Sequence, residues 1–138
     1  MDRHAEIERI AREHGLLAVY LFGSRADDGL KLLSGVDVER VGSDLDVGVV
    51  FRQGNVHIER LFPVEDALES LLPEMRLDVV GLQRVDALFQ FDAIRGHRVA
   101  APDPDVADSW ELDVMRSAAE LLPIQRANEI ATFGFSTT

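Results

Sequence analysis

A small layered domain of helices and strands, α/β or α+β in class, is what this sequence predicts. Three observations carry the prediction. Helix-periodic and strand-like apolar runs alternate along the chain in the order αβαβαβα. The 138 residues suffice for a single domain with a real core, and their 46% hydrophobic and 28% charged content is that of a globular chain. No repeat, low-complexity tract or long linker divides the sequence, so residues 1–138 are read as one domain.

The elements follow in order. Ala5, Ile7, Ile10 and Ala11 recur at near-helical spacing over residues 2–14, and Gly15 is a natural C-terminal stop. "LLAVYLF" is a short continuous apolar run, read as a buried strand. Gly23 and Ser24 turn the chain, "RADDGLKLL" starts a helix, and the polar "SGVDVERVGS" reads as a loop or a small hairpin. "DLDVGVVF" alternates: Leu45, Val47, Val49 and Phe51 face one way, Asp44, Asp46, Gly48 and Val50 the other. Residues 57–72 carry a helical pattern in which Pro63 marks a kink or break. "MRLDVVGL" is a third strand, residues 84–94 form a helix that ends at Gly96, and "HRVAA" adds an edge strand. After "PDPD", residues 106–131 read as a long closing helix with a break at Pro123, and "FGFSTT" as a frayed tail.

Composition excludes several chemistries. With no cysteine there is no disulfide, thiolate metal site or cysteine nucleophile. The charged, amphipathic "MDRHAEIERIAREHG" lacks the apolar centre of a signal peptide, and no apolar run approaches the ~20 residues of a membrane span. The expectation is a cytoplasmic protein with no membrane contact. A net charge of −11 repels the phosphate backbone, so direct nucleic-acid binding is not expected; such a surface suits a basic protein partner or cations, although solubility alone accounts for most of these charges. His4, His14, His57 and His97 are scattered without metal-ligand spacing. Tyr20, inside the buried first strand, is a poor acceptor for modification.

Three carboxylates stand apart by geometry. Asp44 and Asp46, two apart on a strand, leave the same face about 7 Å apart at Cα. Asp78 interrupts the apolar third strand, where Asp is depleted. If the two strands are neighbours, three carboxylates about 5 Å apart repel by roughly 3 kcal/mol per pair at an effective dielectric near 20. Protonation, intervening arginines or a divalent cation would relieve that repulsion, and Mg²⁺ favours carboxylate oxygens together with substrate phosphates. The plain alternative is a turn cap at Asp44, a solvated Asp46, and Asp78 paired with Arg76 or Arg84. Gly23 lets backbone approach a ligand closely, Ser24 offers a hydroxyl and an amide near a helix N-terminus, and Arg25 adds a cation. "GSRADDGLK" is not a Walker A loop, because five residues separate its glycines and no Ser or Thr follows Lys31.

"LFGSRA…SDLDVGVVF" followed by "LDVVGL" resembles the minimal nucleotidyltransferases of the DNA polymerase β-like superfamily. "IRGHRVA" before a Pro-Asp break and a long helix is similar to the subgroup paired with HEPN ribonuclease toxins, and the likeness runs from about Leu16 to about Leu122. The resemblance implies a small mixed sheet flanked by helices. It implies that Gly23, Ser24 and Arg25 hold the nucleotide, that Asp44, Asp46 and Asp78 bind Mg²⁺, two ions in all, and that Asp78 helps to deprotonate the acceptor. The implied reaction moves AMP from ATP to a hydroxyl, a tyrosine of a HEPN-type toxin, which makes the protein an antitoxin that also binds its toxin. Two rivals stay open: a degenerate binding module that neutralises its partner by contact, and a small-molecule enzyme like the aminoglycoside nucleotidyltransferases, which usually carry an extra helical domain. The sequence departs from the family pattern by a longer spacer between Ser24 and Asp44. It also has Asp27–Asp28 where Arg-Gly is often found, which places negative charge near the proposed triphosphate.

Overall fold

The structure, a computed structural model, describes residues 2–52 and 58–133; His57 and the last five residues of the predicted tail lie outside this set. Among the described residues the elements are α1 (Arg3–Glu13), β1 (Leu16–Phe22), α2 (Ala26–Leu33), β2 (Leu45–Phe51), α3 (Leu61–Leu71), β3 (Leu77–Gly81), α4 (Ala87–Ile94), β4 (His97–Ala100) and α5 (Pro104–Phe133). Single 3₁₀ turns at Ile58–Arg60 and Leu82–Arg84 precede α3 and α4. The sheet is mixed, in the order β3-β2-β1-β4. β1 is antiparallel to both β2 and β4, whereas β2 and β3 run parallel, joined by α3 as the crossover.

Helices cover both faces of this sheet. On one face Ile7, Ile10 and Ala11 of α1, Leu32 and Leu33 of α2, and Val64, Leu68 and Leu71 of α3 pack on Leu45, Val47, Val49 and Phe51. On the other, Ala93 of α4 and Ala107 and Trp110 of α5 pack on Ala18, Tyr20, Phe22 and Val50. Both central strands are therefore covered on both faces, which is why β1 is continuously apolar and β2 is apolar except at Asp46 and Gly48. A register irregularity between Leu16 and Ala18 lets Leu16 share a face with Val19 and Leu21. Tyr20, fully buried, donates its hydroxyl to Glu111 at 2.6 Å, and Arg98 of β4 donates to Asp108 at 2.7 Å and to Glu111 at 2.9 Å. These bonds fasten α5 to the sheet edge, and burial, with the Glu111 hydrogen bond second, raises the Tyr20 pKa.

Two proline expectations are corrected. Pro63 sits in the first turn of α3, where the N–H it lacks would have no intrahelical acceptor, so it neither kinks nor breaks the helix. α5 runs through Pro123; the exposed turn at Ala119 leaves water free to solvate the carbonyl that loses its donor. That helix also starts at Pro104, a favourable first position, two residues before the expected start. The 84–94 helix starts later than expected, at Ala87, where the Asp86 side chain accepts from the Phe89 amide at 2.9 Å. Residues 35–44 form the loop option of the two foreseen for this stretch.

Candidate active site

One row across the sheet organises the site. Phe22, the last residue of β1, pairs with Asp46 of β2, and Asp46 pairs with Asp78 of β3 in the parallel ladder. In that ladder, side chains of paired residues leave the same face, so the strand register alone brings the carboxylates of Asp46 and Asp78 side by side. Gly23 follows Phe22 at φ +75°, and a Cβ there would stand 2.2 Å from Asp46 Oδ2. Only glycine fits that position, for both its dihedral and its contact. Burial first, then the Asp78 and Asp44 charges, raise the Asp46 pKa.

Asp44 is placed less tightly. It precedes β2 and is exposed, and its strand-face position extends the alternation only by extrapolation. Among the described residues no three His, Asp or Glu side chains are gathered into a ready metal cage. The donor set nevertheless fits a hard divalent cation: carboxylate oxygens, one of them with a raised proton affinity that a neighbouring cation would reverse. Ser24 is exposed, with its Oγ 3.1 Å from Ser43 Oγ.

Arg25 departs from expectation. Its guanidinium does not stand open toward a phosphate; Nε donates to Asp28 Oδ2 at 2.7 Å, Nη1 to the Ser43 carbonyl at 3.1 Å and Nη2 to the Glu39 carbonyl. The acidic pair expected to repel a triphosphate is accordingly engaged, Asp28 by Arg25 and Asp27 by His97 Nε2 at 2.7 Å.

Two residues escaped the sequence reading. A cavity of about 300 Å³ opens beside Gly23, lined by Phe22, Ala26, Asp92, Arg95 and Gly96. Arg95 is exposed at its edge and lies over the Phe91 ring at 5.7 Å; the Arg-Gly before the edge strand was its only sequence signal. Glu65 of α3, which no sequence motif singles out, is half-buried. Its pKa is raised by burial first, then by Glu69, Asp66 and Asp78. A larger cavity, about 390 Å³, lies between α1 and the end of α2 and contains none of the predicted site residues.

The family model for "Polymerase beta, Nucleotidyltransferase" matches residues 5–105, a span that holds Gly23, Ser24, Asp44, Asp46 and Asp78. Among solved structures the chain is similar to a toxin–antitoxin with AMP-PNP, at TM-score 0.65 and 18% identity, covering 96% of this chain and 98% of that one. It is also similar to a tri-AMPylated Shewanella oneidensis HEPN toxin in complex with MNT antitoxin, at 0.62 and 17%, covering 96% and 97%. The MntA–HepT toxin–antitoxin structure matches at 0.62 and 18%, again covering 96% and 97%. At these identities the likeness is one of fold. No curated protein matches the chain.

Proposed function

The chain belongs to the polymerase β nucleotidyltransferase family, and on that premise we propose that it transfers AMP from ATP, with Mg²⁺, to a tyrosine hydroxyl of a HEPN-type toxin, and so acts as that toxin's antitoxin. The observation that carries the reading is the row from Gly23 through Asp46 to Asp78, which sets a close backbone approach beside two carboxylates. The fold likeness to structures described as an AMPylated HEPN toxin with its MNT antitoxin supports the choice of acceptor.

The acceptor oxygen attacks the α-phosphorus of ATP, the bond from that phosphorus to the bridging oxygen breaks, and pyrophosphate leaves. The acceptor proton passes to the Asp78 carboxylate, which is exposed and can meet a hydroxyl brought by another protein. Gly23 and Ser24 approach the phosphates, and Arg95, at the cavity edge, takes the part that Arg25 was expected to play. Asp44 and Asp46, with Asp78, would hold Mg²⁺, which when bound supplies charge stabilisation at the transferring phosphoryl group. The net charge of −11 favours association with a basic partner surface.

The test is incubation with Mg²⁺, ATP labelled at the α-phosphate and a HEPN-type toxin. Label on the partner, lost with Asp44→Ala plus Asp46→Ala, is the expected result. Absence of label, with toxin neutralisation unchanged in that double variant, would sink the enzyme reading in favour of neutralisation by contact.

A further inference from the structure

We propose that Arg25 is a positioning residue that holds Asp44 at the metal-binding edge of the site, an inference that rests on the nucleotidyltransferase reading above. Arg25 is 9% exposed, the one buried charged side chain among the described residues. Burying a guanidinium is costly unless its donors are satisfied, and here they are distributed over two elements. Nε takes the Asp28 carboxylate on α2, while the two Nη atoms take the carbonyls of Glu39 and Ser43. Those carbonyls bracket the exit of the long loop, and Ser43 is the residue immediately before Asp44. On the far side of Asp44, the Leu45 amide donates to the Arg76 carbonyl at 2.9 Å, just before β3. The Asp44 backbone is thus fixed by Arg25 on one side and by the Asp78-bearing strand's approach on the other.

Gly42 shows how closely the loop is drawn in. It sits at φ +133°, and a Cβ there would meet Arg25 Nη1 at 3.1 Å. The Ser24–Ser43 contact adds a second tie beside it. A lysine could supply the charge but not the three-way planar fork that reaches Asp28 and both carbonyls together.

The test measures Mn²⁺ binding to the nucleotide-free full chain by electron paramagnetic resonance, and AMP-PNP binding in EDTA. Arg25→Ala and Arg25→Lys should both weaken Mn²⁺ binding about tenfold, as loss of a partner behind a metal ligand does. AMP-PNP binding without metal should stay unchanged in both. Adding Arg25→Ala to Asp44→Ala should cost nothing further, because both act through one group. Gly42→Ala, which crowds the guanidinium and also strains the loop at its positive φ, should shift Mn²⁺ affinity the same way by a smaller factor, and Arg25→Lys decides the matter if Arg25→Ala fails to fold. Mn²⁺ affinity within twofold of wild type in Arg25→Lys and in folded Arg25→Ala overturns the proposal. So does metal-free AMP-PNP binding that Arg25→Ala loses and Arg25→Lys restores, which makes Arg25 a phosphate ligand. A wild-type chain that binds no Mn²⁺ overturns instead the metal-dependent reading on which the proposal stands.

Discussion

At the scale of single residues, the site turns on which atoms exclude a side chain. The contact at Gly23 predicts that Gly23→Ala pushes the Asp46 carboxylate out of place and strains the backbone by about 1–2 kcal/mol. The expected outcome is a melting temperature only a few degrees lower with AMP transfer reduced about 100-fold, as displacements of about 1 Å in a reacting geometry cost. Thermal denaturation alongside the labelled-ATP assay checks both halves. Asp78 stood out in the sequence because a charge inside an apolar strand violates strand preference, and Asp46 because it shares a strand face with Asp44; both signals are local. Arg25 was not legible in the same way. An arginine after Gly-Ser looks the same whether it faces a phosphate or turns back onto carbonyls of residues 39 and 43, and only the folded path of the loop decides.

At the scale of elements, the ends of α1, α2 and the approach to β3 meet at one ion pair. Arg3 Nη2 donates to Glu74 Oε1 at 2.5 Å, and Arg3 Nη1 donates to the Leu32 carbonyl at 3.1 Å. The Arg3 hydrogen bond holds the Glu74 pKa below its ordinary value of 4.5. A carboxylate depressed in the folded state stabilises fully above its unfolded pKa and stops doing so as pH falls through its folded pKa. Arg3→Ala should therefore lower stability by about 1 kcal/mol at pH 7, and the gap from wild type should narrow as pH falls below 4.5, leaving the pH-independent loss of the Leu32 bond. Urea denaturation from pH 3 to pH 7 measures that narrowing directly. Periodicity located β1 and β2, the one as a continuous apolar run and the other by two-residue alternation. It misjudged Pro63 and Pro123, because the effect of proline depends on where the helix begins and on whether the freed carbonyl reaches water.

At the scale of the whole molecule, charge and topology set what the protein meets and when. With a net charge of −11, encounter with the partner proposed above should be steered electrostatically wherever that partner presents a basic surface. Raising salt from 0.05 to 0.5 M should lower the association rate at least about tenfold and change the dissociation rate much less, as stopped-flow fluorescence can resolve. A salt-independent association rate would show that the acidic surface serves solubility alone. The family match ends at residue 105, at the start of α5, so the rest of that helix lies outside the matched span although Val114 and Ala118 are buried on the body. Among the described residues no helix is long and apolar enough to cross a membrane. The register row has one more consequence. Asp46 and Asp78 lie on two strands and Gly23 just past the end of a third, and a one-residue slip of β2 would turn Asp46 to the opposite face. A chain emerging from the ribosome therefore holds no complete copy of the proposed centre until β3 has been made and has docked in frame, and assembly of the sheet would act as its own licence for chemistry.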